Sequence, residues 1–181
     1  MNINATSSIK LVNEIKETTT GVERKKQFRY EGATTHLEGL GFQGFRKVQQ
    51  SNWQGNGVTA VWNTSKYDPL QRGAMHSSWT SNYPSTSETS SNYITKTTYE
   101  YDTDVSTNKV YSMVPKKVAV HDNVKNIAIT TNYTYDQYKN PLTVNTIYPG
   151  GTSTNTYRYY NNPSAFDQNY HIGRMHTSAS S

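Results

Sequence analysis

Residues 97–110 read TTYEYDTDVSTNKV, and residues 132–144 read NYTYDQYKNPLTV. In both stretches tyrosines alternate with polar residues, and each run closes with a Tyr-Asp dipeptide, first Tyr101-Asp102 and then Tyr135-Asp136. An alternation with a period of two places each tyrosine pair on one face of a β-strand. The polar residues that follow are typical of turns. The two stretches therefore predict β-hairpins whose first strand ends at the Tyr-Asp corner.

A third stretch, TSTNTYRYYNNP at residues 152–163, begins in the same way and has Tyr160-Asn161 where the others have Tyr-Asp. Such hairpins cannot bury a face alone and need neighbours beside them, as in repeat arrays. The composition agrees, because only 33% of the residues are hydrophobic and 15 residues are tyrosine. Tyr and Thr favour strands. We predict an all-β chain, an antiparallel sheet built of consecutive β-hairpins.

The chain is predicted to be a single β region with three parts. Residues 1–76 are glycine-rich, residues 77–91 form a polar loop of Ser, Thr, Asn and Pro, and residues 92–181 carry the tyrosine-rich hairpins. We expect the polar loop to be the least ordered part.

Glycine marks the turns of the first part. GNG at residues 55–57 predicts a hairpin turn, and VTAVWNTSKY at residues 58–67 predicts the strand that follows it, ended by Pro69. Four other glycines are too closely spaced for a helix and predict tight turns or bulges; they are Gly32, Gly39, Gly41 and Gly44.

The charge and the cysteine count exclude several classes of function. The net charge is +5, but the basic residues are dispersed apart from residues 24–26 and 116–117, which predicts solvated strand faces and no specific nucleic-acid interface. The chain has no cysteine, which excludes disulfides, thiolate zinc sites and a cysteine nucleophile. The first residues show no signal peptide, and no apolar run reaches the length of a membrane span. If the protein is exported, we expect its signal to lie outside this chain or the route to need none.

Histidines and aspartates are the residues in which catalytic or metal-binding chemistry would be sought. His171 and His176 bracket IGRM with a spacing that suits neither a helix face nor a strand face, which argues against a metal site. Asp102, Asp104 and Asp136 precede turn residues, so Asx turns are favoured over a glycosidase pair. DTDVSTNK lacks the glycine and the glutamate of a calcium loop. Because no Gly-x-Ser-x-Gly elbow is present either, we predict no enzyme, no metal and no cofactor.

The Tyr-Asp stretches resemble the repeats of Rhs/YD-repeat proteins, in which the dipeptide closes one hairpin and a polar turn opens the next. A more specific match is FRYEGATTHLEGLGFQGFRKV at residues 28–48, followed by KYDPLQRGA at residues 66–74. This order resembles a recurrent stretch of large YD-repeat shell proteins related to the B component of insecticidal toxin complexes. The carboxy-terminal segment resembles the family's Tyr-x-Asn…Ile-Gly-Arg segment, here Tyr159, Asn161, Ile172, Gly173 and Arg174.

The resemblance extends over roughly residues 9–181 and includes three departures. LGFQGF at residues 40–45 stands where an Arg-Gly pair is commoner, the repeats are longer than usual, and Lys139-Asn140 stands where a glycine commonly follows Tyr-Asp-x-x. The residues that carry the motif are Tyr30, Gly32, Gly41, Gly44, Phe45, Tyr101, Asp102, Tyr135, Asp136, Gly173 and Arg174.

The resemblance implies an open strip of a larger β-shell that surrounds a polypeptide cargo, often a toxin domain. The expected partners are other segments of the parent shell and a toxin cargo, with self-association through sheet edges. The expected location is outside the cell or on a bacterial cell surface.

A second hypothesis remains open from the residues themselves. Exposed Trp53, Trp62 and Trp79, together with tyrosines, would stack against sugar rings in an extracellular carbohydrate-binding β module.

Overall fold

The structure is a computed structural model. It describes residues 2–4, 10–36, 41–55, 57–84, 86–89, 91–105, 111–162 and 171–181. Within these ranges every regular element is a β-strand except one 3-10 turn, so the predicted all-β class is confirmed. The chain divides into two compact units, residues 1–98 with 122–126 and residues 99–121 with 127–181. No helix among the described residues is long and apolar enough to cross a membrane.

The first unit is an antiparallel sheet in which β3 to β7 pair in chain order. β2 pairs with the beginning of β3 and β1 with its end, and the amino-terminal residues of β7 pair with β6. The strands are β1 (Asn2–Asn4), β2 (Glu14–Thr19), β3 (Val22–His36), β4 (Gly41–Ser51), β5 (Trp62–Asp68), β6 (Ala74–Ser81) and β7 (Thr95–Val105).

The second unit continues with the remainder of β7 and ends at β12. Sheet neighbours are again consecutive in sequence, which confirms the prediction of consecutive hairpins. Its strands after β7 are β8 (Tyr111–Asp122), β9 (Ile127–Tyr135), β10 (Pro141–Tyr148), β11 (Gly151–Asn162) and β12 (His171–Ser180).

Burial differs between the two units. In the first unit Trp62, Ala74 and Trp79 are buried together with several hydroxyl and amide side chains, among them Gln49 and Thr64. In the second unit none of the described side chains is buried. The core of the first unit is therefore small and polar, and the second unit is an open sheet with half-buried tyrosines.

Two predicted boundaries differ from the structure. The polar loop predicted for residues 77–91 begins later, because Ser77–Ser81 belong to β6 and pair with β5 on one side and β7 on the other. Small hydroxyl residues alternate with Trp79 there, and this pattern suits a strand that packs under a covering loop. The strand predicted from residue 58 begins only at Trp62, after a loop in which Val58 N–H donates to Gly55 O.

Candidate functional site

Two tyrosine pairs lie side by side on their strands, as the alternation predicts. Tyr99 and Tyr101 on β7 have ring centroids 6.4 Å apart with planes 14° apart, and Tyr133 and Tyr135 on β9 are 6.4 Å and 17° apart. Partial burial, and then the neighbouring tyrosine, raises the pKa of Tyr101 and Tyr135. These phenols are therefore neutral at physiological pH and act as apolar surface with a polar tip.

The aspartate of each Tyr-Asp dipeptide contributes to the raised pKa of a tyrosine in the following repeat. Asp102 adds to the effects that raise the pKa of Tyr135, after burial and Tyr133. Asp136 does the same for Tyr159, after burial and Tyr157. The Tyr-Asp residues of successive repeats therefore lie close enough to interact.

The corner at Asp136 is held by hydrogen bonds to the aspartate carboxylate. Oδ1 accepts the backbone N–H of Tyr138 at 2.8 Å and that of Asn140 at 2.9 Å, which confirms the predicted Asx turn. Oδ2 accepts the Asn140 side-chain amide at 2.9 Å and that of Asn161 at 3.2 Å. Burial acts to raise the pKa of Asp136, but the bonds from Asn140, Tyr138 and Asn161 outweigh it and hold that pKa below its usual value.

The same hydrogen-bond network extends to Gly173 on β12. Asn161 Oδ1 accepts the Gly173 N–H at 2.8 Å. A Cβ on Gly173 would lie 2.7 Å from Asn140 Oδ1, and Gly173 has a φ of +77°. Gly173 is therefore required sterically and conformationally at the point where β12 meets the corner. Arg174 pairs with Tyr160 in the ladder and is exposed.

The prediction that a strand ends at Tyr101-Asp102 is wrong, because β7 continues through Asp102 to Val105, and Asp102 is a strand residue with no Asx turn. Asp102 Oδ2 lies 3.5 Å from Lys139 Nζ, so an ion pair joins β7 to the turn that follows β9. Lys139 has a φ of +64°, a backbone conformation that favours glycine. Asp104, which was also predicted to form a turn, belongs to β7 as well, and its side chain is not among those described.

The aromatic residues of the stretch 28–48 form a separate cluster in the first unit. The Tyr30 and Phe45 ring centroids are 5.0 Å apart, and those of Phe42 and Phe45 are 5.5 Å apart. Gly32, Gly41 and Gly44 all have positive φ, and the β3–β4 register shifts at Gly44, which confirms the predicted bulge. Gly39 lies outside the described residues.

A carboxylate that the sequence did not single out organises the loop after β6. Residues 82–84 and 86–89, here called the strap, bring Glu88 into hydrogen-bonding contact with Lys66 and with Ser77 Oγ at 2.6 Å. His76 Nε2 lies 3.3 Å from Glu88 Oε1. Burial acts to raise the pKa of Glu88, but the bonds from Lys66 and Ser77 outweigh it and lower the pKa.

Further contacts fix the strap on the sheet. Gln49 Nε2 donates to Pro84 O at 2.7 Å, Lys96 Nζ donates to Glu88 O at 2.5 Å, and Thr86 is buried. The loop predicted to be the least ordered part is therefore bound to the sheet. One feature of the sequence could have indicated that this loop is bound to the sheet. It is the single glutamate, Glu88, in a segment rich in Ser, Thr, Asn and Pro.

The structure corrects the carbohydrate hypothesis in its choice of tryptophans. Trp62 and Trp79 are 3% and 4% exposed, because they lie in the core of the first unit. Trp53 is exposed, but the Arg24 guanidinium lies 5.2 Å from its ring centroid. A stacking platform of three tryptophans is absent.

The described histidines are dispersed. No group of three or more His, Asp or Glu side chains converges within the described ranges in a way that could hold a metal ion. His76 contacts Glu88, and the His176 ring lies 4.3 Å from that of Tyr160. The His171 side chain is not among those described.

No family model matches the chain, and no curated protein matches it in sequence. Its fold is similar to that of a chain in the crystal structure of TcdB2-TccC3-Cdc42, with a TM-score of 0.64 over 92% of this chain and an identity of 9%. The match covers 12% of that chain, so the present chain spans about one-eighth of its length. The antiparallel array of hairpins is thus a fold that this chain shares with part of a much larger protein.

Proposed function

We propose that the chain is a non-catalytic wall segment of an Rhs/YD-repeat protein, part of a β-sheet shell that encloses or delivers a polypeptide toxin outside the cell or at a bacterial surface. The observation that carries the proposal is the Asp136 corner, where residues from two landmarks of the YD-repeat resemblance bind one another through Asn140, Asn161 and Gly173. The fold match over 92% of the chain supports the same relation.

The open second unit also supports a structural role. None of its described side chains is fully buried, and partly buried tyrosine pairs on alternate strands provide a broad surface for neighbouring polypeptide. β12 is the last strand of this unit and pairs with β11 on one side only among the described residues. An edge of this kind is a template for a further strand.

The experiment that tests the proposal is light scattering of the purified chain across a range of concentrations. We expect concentration-dependent association, because β12 offers an edge with exposed Ile172 and Met175. Ile172→Lys places a charge on that edge and should make the chain monomeric. Ile147→Lys is the matched control, since Ile147 is similarly exposed but lies on β10, which is paired on both sides.

Thermal melting of the chain with a panel of glycans tests the alternative function, carbohydrate binding. A monomeric chain whose melting temperature rises with one sugar would exclude the wall-segment proposal and favour a carbohydrate-binding module. If Ile172→Lys leaves the association unchanged, the chain does not associate through the β12 edge.

A further inference from the structure

Two stretches of the first unit, residues 28–48 and residues 66–74, meet in one groove that the proposed wall function does not use. The groove has a volume of about 290 Å³. Most of its lining belongs to the KYDPLQRGA stretch, at the end of β5 and in the turn that follows, and the FRYEGATTHLEGLGFQGFRKV stretch adds Arg46. The lining residues are Arg46, Lys66, Tyr67, Asp68, Pro69, Leu70 and His76.

Gly32 allows Arg46 to lie along this groove. A Cβ on Gly32 would lie 3.0 Å from Arg46 Cβ and 3.1 Å from Arg46 Cδ, so the arginine stem crosses directly over the glycine. The Arg46 side chain is exposed, and no carboxylate in the described part of the chain pairs with its guanidinium, whereas the neighbouring Lys47 pairs with Glu31. The guanidinium is thus a positioned cation that lacks an acidic partner.

The acidic groups near the groove are already bound. Asp68 Oδ1 accepts the Leu70 N–H at 2.9 Å and so caps the turn over Pro69–Gln71. Glu88, outside the lining, contacts Lys66 and His76. Within the lining, Lys66 is paired with Glu88 and the Asp68 carboxylate is bound in the turn, so the Arg46 guanidinium is the cation that remains for an anionic group.

The groove lining also includes apolar surface. Tyr67, Pro69 and Leu70 provide it, and Leu70 is 80% exposed on a turn that the Asp68 cap holds in place. An inorganic anion would leave this apolar surface unused. A ligand that carries a carboxylate beside an apolar side chain would use both the guanidinium and the apolar surface.

We propose that this groove binds an acidic segment of a polypeptide, with a Glu or Asp carboxylate on Arg46 and an adjacent apolar side chain against Pro69 and Leu70. Guanidinium binds carboxylate through two parallel N–H···O bonds, which fixes the orientation of the segment. This site lies in the first unit, and the inference does not depend on whether the chain is a shell segment.

The test is fluorescence anisotropy of a dye-labelled peptide, Gly-Glu-Leu-Glu-Leu-Gly, titrated with the chain. We expect saturable binding that weakens as salt increases, and that is lost with a peptide in which Gln replaces Glu. Arg46→Gln should weaken binding about tenfold, which corresponds to one charge-assisted contact. Leu70→Ala should weaken it by a smaller factor without affecting folding, because the side chain is exposed. Arg158→Gln, at an exposed arginine of β11, is the matched control and should bind as the unmodified chain does.

Several outcomes would overturn the proposal. They are the absence of binding, equal binding of the Gln peptide, and equal binding by Arg46→Gln with its circular dichroism unchanged. Tighter binding of a single-stranded oligonucleotide with the same dependence on Arg46 would instead assign the groove to nucleic acid. Association through β12, followed in the same samples by light scattering, is independent of all these results.

Discussion

At the scale of single residues, the second Tyr-Asp corner combines a well-bonded aspartate with a strained lysine. Asp136 accepts four hydrogen bonds from Tyr138, Asn140 and Asn161, so its side chain fixes the turn. Lys139 has a φ of +64°, which costs a residue with a Cβ about 1 kcal/mol or more. Its ion pair with Asp102 offsets part of this cost.

Replacement of Lys139 by Gly and by Ala separates strain from charge, since both variants lose the ion pair. We expect Lys139→Gly to be more stable than Lys139→Ala by about 1 kcal/mol in urea denaturation, because glycine adopts positive φ without a steric cost. Lys116 on β8 is the control, and there the Ala variant should be the more stable by about 0.5–1 kcal/mol. An equal stability of the two Lys139 variants would contradict the strain argument.

The Asp136 carboxylate should make stability depend on pH. Its pKa is lowered in the folded chain, so its contribution is complete above the ordinary aspartate pKa of about 4 and is lost as the pH falls through the lower folded value. The free energy of unfolding of the unmodified chain should fall over that range more steeply than that of Asp136→Asn. Parallel pH profiles for the two proteins would show that the carboxylate is not stabilised by its donors.

At the scale of elements, the strap and β12 are each fixed by a few polar contacts. Glu88, Gln49 and Lys96 hold the strap on the sheet. Ser77, which bonds Glu88, lies two residues from Trp79 on β6, so the strap is bound to the sheet face that carries the buried tryptophans. β12 is positioned at the corner by Asn161 and by the absence of a side chain at Gly173. Removal of one of these contacts should therefore loosen the strap or β12 without unfolding the rest of the sheet.

Glu88→Ala should loosen the strap. We expect a loss of about 2 kcal/mol, because the fully buried Ser77 hydroxyl loses its acceptor and Lys66 loses its ion pair. Tryptophan emission should shift to longer wavelength as Trp62 and Trp79 meet water. Glu100→Ala removes an exposed ion pair with Lys117 and should change stability by less than about 0.5 kcal/mol, with no spectral shift. Unchanged emission from Glu88→Ala would show that other contacts hold the strap.

Gly173→Ala tests the contact between β12 and the corner. Its Cβ would lie 2.7 Å from Asn140 Oδ1 at a positive φ, so we expect a loss of about 2 kcal/mol in urea denaturation. Gly150→Ala is the control, because its Cβ would make ordinary contact with the Tyr148 ring at 3.6 Å. A loss at Gly150 equal to that at Gly173 would contradict the steric argument.

At the scale of the whole molecule, the two units should differ in local stability. Buried tryptophans stabilise the first unit, whereas the second has no buried side chain among those described. We expect amide hydrogens of β4 to β6 to exchange more slowly than those of β10 to β12, as measured by mass spectrometry at peptide resolution. Slower exchange in β10 to β12 would show that tyrosine packing protects the second unit more than the tryptophan core protects the first.

The sequence by itself determined the all-β class, the consecutive hairpins and the tyrosine pairs, because a period of two and turn residues are local properties. Several strand ends differ from the prediction, among them that of β7, which continues past Tyr101-Asp102. It also identified Asp136 as a turn former, since an Asx turn forms within a few residues. Only the tertiary structure decided that Glu88 binds Lys66, that Gly32 lies under Arg46 and that Trp62 and Trp79 are buried. These contacts join residues distant along the chain, and the sheet register and the course of the strap that create them leave no periodic signal in the sequence.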